Sequence, residues 1–222
     1  MIPRAHITAW RGSAPWPTDE QVEQDLVLSR AVVELFGNPT VAETMACRGG
    51  TALHKLFLVP PRRYSEDIDL VQTNAGPIGS GLEAIRGTLD PWLGEPRRKR
   101  GQGRVTLLYR FETTSKPVQQ MRLKVEINTR EHFTGSRVTS LDVNIAKVIE
   151  CFDRYMDHGG TPVSRAEFEA NLAAKLRSEQ FLADIAPLLP TETTYDVAVA
   201  DAHVREHLIA KLRGDPWKGE VV

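Results

Sequence analysis

Arg48-Gly49-Gly50-Thr51-Ala52-Leu53-His54-Lys55, followed shortly by Arg63-Tyr64-Ser65-Glu66-Asp67-Ile68-Asp69-Leu70, carries the two motifs from which the architecture of this chain can be built. A short apolar run ending in Met45-Ala46-Cys47-Arg48 leads into Gly49-Gly50-Thr51 and then Ala52 to Leu58, which reads as strand, glycine turn and short helix. Such a junction exposes backbone N–H groups and the positive end of a helix, and a triphosphate is the natural guest. The Thr51 hydroxyl would donate to the same phosphate, and Arg48, Lys55, Arg62 and Arg63 would supply positive charge. Arg62 to Val71 alternates like a strand. The two-residue period sends Asp67 and Asp69 to one face, roughly 6 to 7 Å apart at their Cα atoms, with Ile68 and Leu70 facing a core. Two like charges so placed call for a cation, and hard oxygen ligands at this spacing suit magnesium shared with substrate phosphates. Glu126, on the alternating stretch Leu123-Lys124-Val125-Glu126-Ile127-Asn128, adds a third carboxylate if the two strands are neighbours, which makes a two-metal site conceivable. A phosphate cradle followed by an Asp-x-Asp strand implies phosphoryl or nucleotidyl transfer, where catalysis is mainly positioning and charge neutralisation.

Outward from this centre, Trp10 to Pro17 reads as an irregular arm, and Thr18-Asp19-Glu20-Gln21 as a helix N-cap. Val22, Leu26, Leu28, Ala31, Val32, Leu35 and Phe36 recur at helical spacing until Gly37-Asn38-Pro39 stops the helix. Beyond the Asp-x-Asp strand come a loop over Thr73 to Gly81 and a helix over Ser80 to Leu93. A basic, glycine-bearing turn over Pro96 to Arg104 then joins strands at Val105 to Phe111 and Met121 to Asn128. Arg97, Arg98, Lys99 and Arg100 in that turn are the candidate RNA contacts, since a transferase must grip a long acceptor. After Val138 the pattern turns helical, over 144–155, 164–177, 181–189 and 197–212, with Ser164 and Glu167 as a capping box and Pro187 and Pro190 as terminators. The expected fold class is therefore α/β (α+β): a small mixed sheet flanked by helices in residues 1–138, with a helical C-terminal region in residues 139–222.

Composition narrows the class of function. The 222 residues suffice for a real core, and 41% hydrophobic with 26% charged residues is the balance of a soluble globular domain. With 28 Lys+Arg against 29 Asp+Glu, any nucleic-acid partner must be held by a local patch and not by a global field. Cys47 and Cys151 form no CxxC, so a disulfide framework or zinc knuckle is not expected, and a reducing, cytoplasmic setting is. The N-terminus lacks the apolar core of a signal peptide, and no long apolar run suggests a membrane span. The histidines show no paired ligand spacing, so His54 reads as a helix residue, not a zinc ligand. Trp10, Trp16, Trp92 and Trp217 are dispersed and read as packing anchors. Lys124 reads as a solvated strand lysine, with a place on phosphate as the alternative.

The paired motifs resemble those of the AbiEii/AbiGii-type toxin nucleotidyltransferases, within the DNA polymerase beta-like nucleotidyltransferase superfamily. Their pattern is a Gly-Gly/Ser turn, an Asp-x-Asp strand and a third carboxylate on a following strand, and all three have matches here. The resemblance extends to the arm around Trp10 and to the tail from Pro162 to Leu189. It implies a nucleotidyltransferase fold, with Gly50 and Thr51 on the nucleotide phosphates, Asp67 and Asp69 on the metals, and Glu126 completing the triad. Gly49, Gly50, Thr51, Ser65 and Lys55 make up the expected nucleotide-binding set. It further implies a toxin of a toxin–antitoxin or phage-defence pair, using a nucleoside triphosphate and Mg2+ with tRNA as the acceptor and a cognate antitoxin as partner. Two other readings stand beside it: a catalytically silent binding protein, and a transferase acting on protein or a small molecule. One departure is visible. Relatives carry a Lys-Leu-Arg-Ala-Leu helix and an Arg-Asp-x-x-Asp-Leu segment before the helical tail, whereas Phe133 to Ser140 here runs almost directly into Leu141 to Ile145. Lys175-Leu176-Arg177 with Asp184 imitates that block, but its neighbours match the later tail.

Overall fold

The computed structural model describes residues 2–56, 61, 63–130, 132, 164–191 and 193–211. The expected helix over 144–155, the comparison at 133–145, Arg62, Cys151 and Trp217 lie outside them. The chain divides into two compact units, residues 1–134 with 188–192 and residues 135–187 with 193–222.

The first unit is built on a five-stranded mixed sheet in the order β1-β2-β5-β4-β3. Its strands are β1 (Met45–Arg48), β2 (Asp67–Gln72), β3 (Arg97–Gly101), β4 (Arg104–Glu112) and β5 (Gln120–Asn128). Only β2 and β5 run parallel; the other neighbours are antiparallel. Alternation sorts the side chains cleanly. Ile68 and Leu70, Leu123, Val125 and Ile127, and Val105, Leu107 and Tyr109 are all buried on one face. There they meet Val22, Leu28, Ala31 and Leu35 of helix α2 (Asp19–Gly37) and Leu82, Ile85 and Leu89 of a later helix, α5 (Gly79–Leu93). The opposite face carries the polar and charged positions.

Helix α2 starts where the sequence places it. Thr18 Oγ1 accepts from the Gln21 N–H at 3.2 Å while the Gln21 side chain accepts from the Thr18 N–H, a complete capping box. Asn38 caps a helix the sequence reading did not separate, α3 (Pro39–Thr44), with Pro39 at its first position. The arm after Trp10 is irregular as expected, and Arg4–Trp10 before it forms a helix, α1, that the sequence reading did not address. The Pro96–Arg104 segment is no simple turn. Arg97–Gly101 pairs with Arg104–Leu108 as strand β3, and Gln102-Gly103 alone makes the turn, with Gly103 at φ +78. An edge strand exposed on both faces has no apolar alternation by which a sequence could reveal it.

In the second unit, α6 (Arg165–Leu176) opens with the Ser164/Glu167 capping box, and α7 (Glu179–Ala183) is capped by Ser178. Helix α8 (Val197–His203) continues as a wider turn over Val204–Leu208 and a tighter one over Ile209–Lys211. No helix among the described residues is long and apolar enough to cross a membrane.

Candidate functional site

Strand pairing settles which of the candidate residues meet. Asp69 is the register partner of Arg48 on one side and of Glu126 on the other, and Asp67 is the partner of Lys124. The three carboxylates therefore share one face across two adjacent strands, the arrangement that parity of position predicts. Lys124 Nζ lies 2.6 Å from Asp67 Oδ2 and 4.0 Å from Glu126 Oε2, and Arg104 Nη1 lies 3.6 Å from Glu126 Oε1. Lys124 is thus part of the cluster and not merely a solvated strand lysine. It shares the parity of Glu126, so the signal was present in the alternation, but only the β2–β5 register shows that it faces Asp67.

The electrostatics are those of crowded like charge. Burial pushes the Asp69 carboxyl above the ordinary range, and the neighbouring Asp67 and Glu126 charges add to that, opposed by Lys124 and Arg48. The hydrogen bond to Asp67 raises the Lys124 ammonium correspondingly. Cys47, on the core side of β1, is pushed to about 11 by burial and by Asp69, which keeps it a protonated, unreactive thiol.

The glycine junction touches this cluster directly. Gly49 begins helix α4 (Gly49–Leu56) with φ at +75, and a methyl group on it would overlap Asp69 Oδ2 and come within 3.1 Å of Cγ. The absent side chain is what lets the carboxylate lie against the start of the helix. Gly50 is less constrained, with a methyl there at 3.6 Å from Arg63 Nη1 and 3.8 Å from Ser65 Oγ.

Thr51 and Ser65 are close to the junction but are engaged with each other. Thr51 is 1% exposed, its hydroxyl donates to the Asp67 carbonyl oxygen, and Ser65 Oγ lies 2.6 Å away. The hydroxyl ties the helix to the start of β2. Lys55 is not brought to the cluster either. Four residues beyond Thr51 on the helix, it turns toward α2, where its Nζ lies 2.6 Å from Asp25 Oδ1. Asp25, with 2% side-chain exposure, also accepts from Trp10 Nε1 at 2.8 Å and has His54 Nε2 at 3.4 Å. Burial would raise the Asp25 carboxyl, but the hydrogen bond with His54 and the charge and hydrogen bond of Lys55 outweigh it and hold it below its usual value. His54 is a core residue packed on Trp16, as expected. Of the basic run, Arg97 and Lys99 share the carboxylate face, because they are partners of Leu108 and Thr106, themselves partners of Lys124 and Glu126. Arg98 and Arg100 point to the other face.

The donor set can be tested against a divalent cation. Asp67, Asp69 and Glu126 offer hard oxygens on one face, and burial together with the Asp67 and Glu126 charges penalises the ionised Asp69, a penalty a cation would relieve. Among the described residues no three Asp, Glu, His or Cys side chains stand ready to hold a metal ion, and the Lys124 ammonium takes up part of the charge. In donor chemistry and charge the residues fit, with Lys124 to be exchanged for the cation on Asp67.

The chain has the nucleotidyltransferase fold: the nucleotidyltransferase toxin MenT4 from Mycobacterium tuberculosis superposes on it with a TM-score of 0.50 at 15% identity, over 97% of this chain and 92% of that one. JHP933 from Helicobacter pylori matches 74% of this chain and 69% of its own at 19% identity, with a TM-score of 0.42. No curated protein matches by sequence. The sequence model of the nucleotidyl transferase AbiEii toxins of type IV toxin–antitoxin systems matches residues 30–142, just over half of the chain, and the chain belongs to that family.

Proposed function

We propose that this chain transfers a nucleotide from a nucleoside triphosphate to the 3′ end of tRNA in a magnesium-dependent reaction, as the toxin partner of a cognate antitoxin. The observation that carries the reading is the meeting of Asp67, Asp69 and Glu126 on one sheet face, with Asp69 lying in the space left by the missing side chain of Gly49. The triphosphate lies with its phosphates on the backbone N–H groups at the start of α4, where Gly49 and Gly50 allow close approach. Asp67, Asp69 and Glu126 would hold magnesium through their carboxylate oxygens, and the ion would supply charge neutralisation and a lowered pKa for the attacking hydroxyl. The acceptor hydroxyl attacks the α-phosphorus, the bond from that phosphorus to the bridging oxygen breaks, and pyrophosphate leaves. The carboxylate of Asp69 or Glu126 takes the hydroxyl proton, and Lys124, released from Asp67, balances charge on the phosphates. Thr51 and Ser65 act by fixing the glycine junction against β2, and Lys55 by anchoring α4 to α2.

The test is incubation of the protein with magnesium, each radiolabelled nucleoside triphosphate in turn and total tRNA, beside Asp69→Ala. Label on tRNA that vanishes in the variant is the expected result and names the nucleotide. Label on protein, or none on RNA from a folded wild-type chain, overturns the reading.

A further inference from the structure

The strand order puts the two ends of the reaction on opposite sides of the carboxylates. The glycine junction follows β1, at one edge of the sheet, whereas β3 forms the other edge, and Asp69 and Glu126 lie on the strands between. One row of cross-strand partners runs Arg48, Asp69, Glu126, Thr106, Lys99; the next runs Asp67, Lys124, Leu108, Arg97. Lys99 therefore stands two strands beyond Glu126, about 10 Å away at the backbone, on the side away from the phosphate cradle. Arg97 and Lys99 are exposed, and among the described residues neither forms an ion pair, whereas the nearer Arg104 is already turned to Glu126.

A triphosphate on Gly49 has no use for cations at the far edge, but a polyanionic chain whose end must reach Glu126 does. Resting on the nucleotidyl-transfer reading above, we infer that Arg97 and Lys99 carry the sugar-phosphate backbone of the nucleic-acid acceptor across β3 and β4, delivering its 3′ hydroxyl to Asp69 and Glu126. Arg98 and Arg100, their neighbours on the same strand, take no part, because alternation sends them to the other face. This divides a run of four consecutive cations into two that bind and two that do not. A basic edge strand could equally serve only to keep other sheets from pairing with it. That role is indifferent to which face a charge is on, so parity separates the two accounts.

The experiment compares wild type with two double variants of equal charge, Arg97→Ala/Lys99→Ala and Arg98→Ala/Arg100→Ala. Binding of unmodified tRNA is measured by fluorescence anisotropy from 50 to 200 mM salt without nucleotide, with thermal unfolding to confirm that each is folded. The first variant is expected to raise the Kd roughly tenfold and to flatten the slope of log K against log salt by about 1.4, the loss of two phosphate contacts on a single strand. The second is expected to leave both within twofold. Equal effects in the two variants, or a larger effect in the second, overturn the inference. If label transfer to RNA fails while the first variant alone loses tRNA binding, the path stands and the reading of the reaction falls. If transfer succeeds and the variants bind alike, only the path falls.

Discussion

Gly49 is the residue on which the cradle and the carboxylates depend together. It needs a positive φ, and its missing Cβ is the space in which the Asp69 carboxylate lies. Gly49→Ala therefore strains the backbone and displaces Asp69, and transfer should fall by roughly a hundredfold or more, the usual consequence of about an ångström of misplacement. Gly50→Ala meets only ordinary contacts at 3.6 and 3.8 Å, so its folding stability should stay within about 0.5 kcal/mol of wild type. Thermal unfolding and labelled-nucleotide transfer on the pair check this; equal losses in both would show that the junction needs small residues in general and not the room for Asp69. At this scale the sequence was most legible where period decides. Asp67 and Asp69 share a face by alternation, whereas Glu126 joins them only because β2 and β5 are neighbours, which the family resemblance implied and alternation does not. Lys124 has the same parity, but its ion pair with Asp67 depends on a parallel register set by two distant strands, which alternation does not encode.

Helix α4 illustrates how an element can be placed correctly while its faces are not. The sequence locates the strand-to-helix junction, although the helix begins at Gly49 and not after the glycines at Ala52, and proximity in sequence then suggests that Lys55 serves the phosphates. The helix turn carries Lys55 to α2 instead, into a cluster with Asp25, His54 and Trp10. The pair is worth most as a unit. Asp25→Asn leaves the Lys55 ammonium largely buried without its counter-ion and should cost about 3 kcal/mol, whereas adding Lys55→Met should restore much of that loss. Chemical denaturation of the two single variants and the double variant gives the coupling, and additive losses would deny the pair. Lys55→Met should change nucleotide KM less than twofold, because nothing at the carboxylate face contacts it; a large KM rise with stability unchanged would return Lys55 to the phosphates. The edge strand β3 was illegible for a different reason. Arg97–Gly101 is exposed throughout, so no buried face leaves a trace in the composition, and glycine and charge together read as a turn.

At the scale of the whole molecule the carboxylate cluster is a cost that a cation would remove, and this links metal binding to folding. Asp69 holds its proton more readily in the folded chain than in the unfolded one, through burial and the charges of Asp67 and Glu126. Between the ordinary Asp value near 3.9 and the raised one the folded state binds more protons than the unfolded, so stability falls as pH rises through that window. Above it, the ionised Asp69 is a standing penalty. In chelator-treated protein at pH 7, Asp69→Asn should therefore raise Tm by about 2 °C, a gain that fades as the pH is lowered through that window and is gone below about 4. A magnesium ion bound by the folded site alone reverses the balance. At ten times its dissociation constant it contributes roughly 1.4 kcal/mol, so wild type should gain about 3 to 5 °C. Asp69→Asn, with one anionic ligand fewer, should gain much less from the same addition. Scanning calorimetry with and without magnesium measures both effects independently of any acceptor. Equal gains in the two proteins would mean that magnesium acts elsewhere on the chain, and a lower Tm for Asp69→Asn in chelator would mean that its carboxylate is held by hydrogen bonds stronger than the repulsion around it.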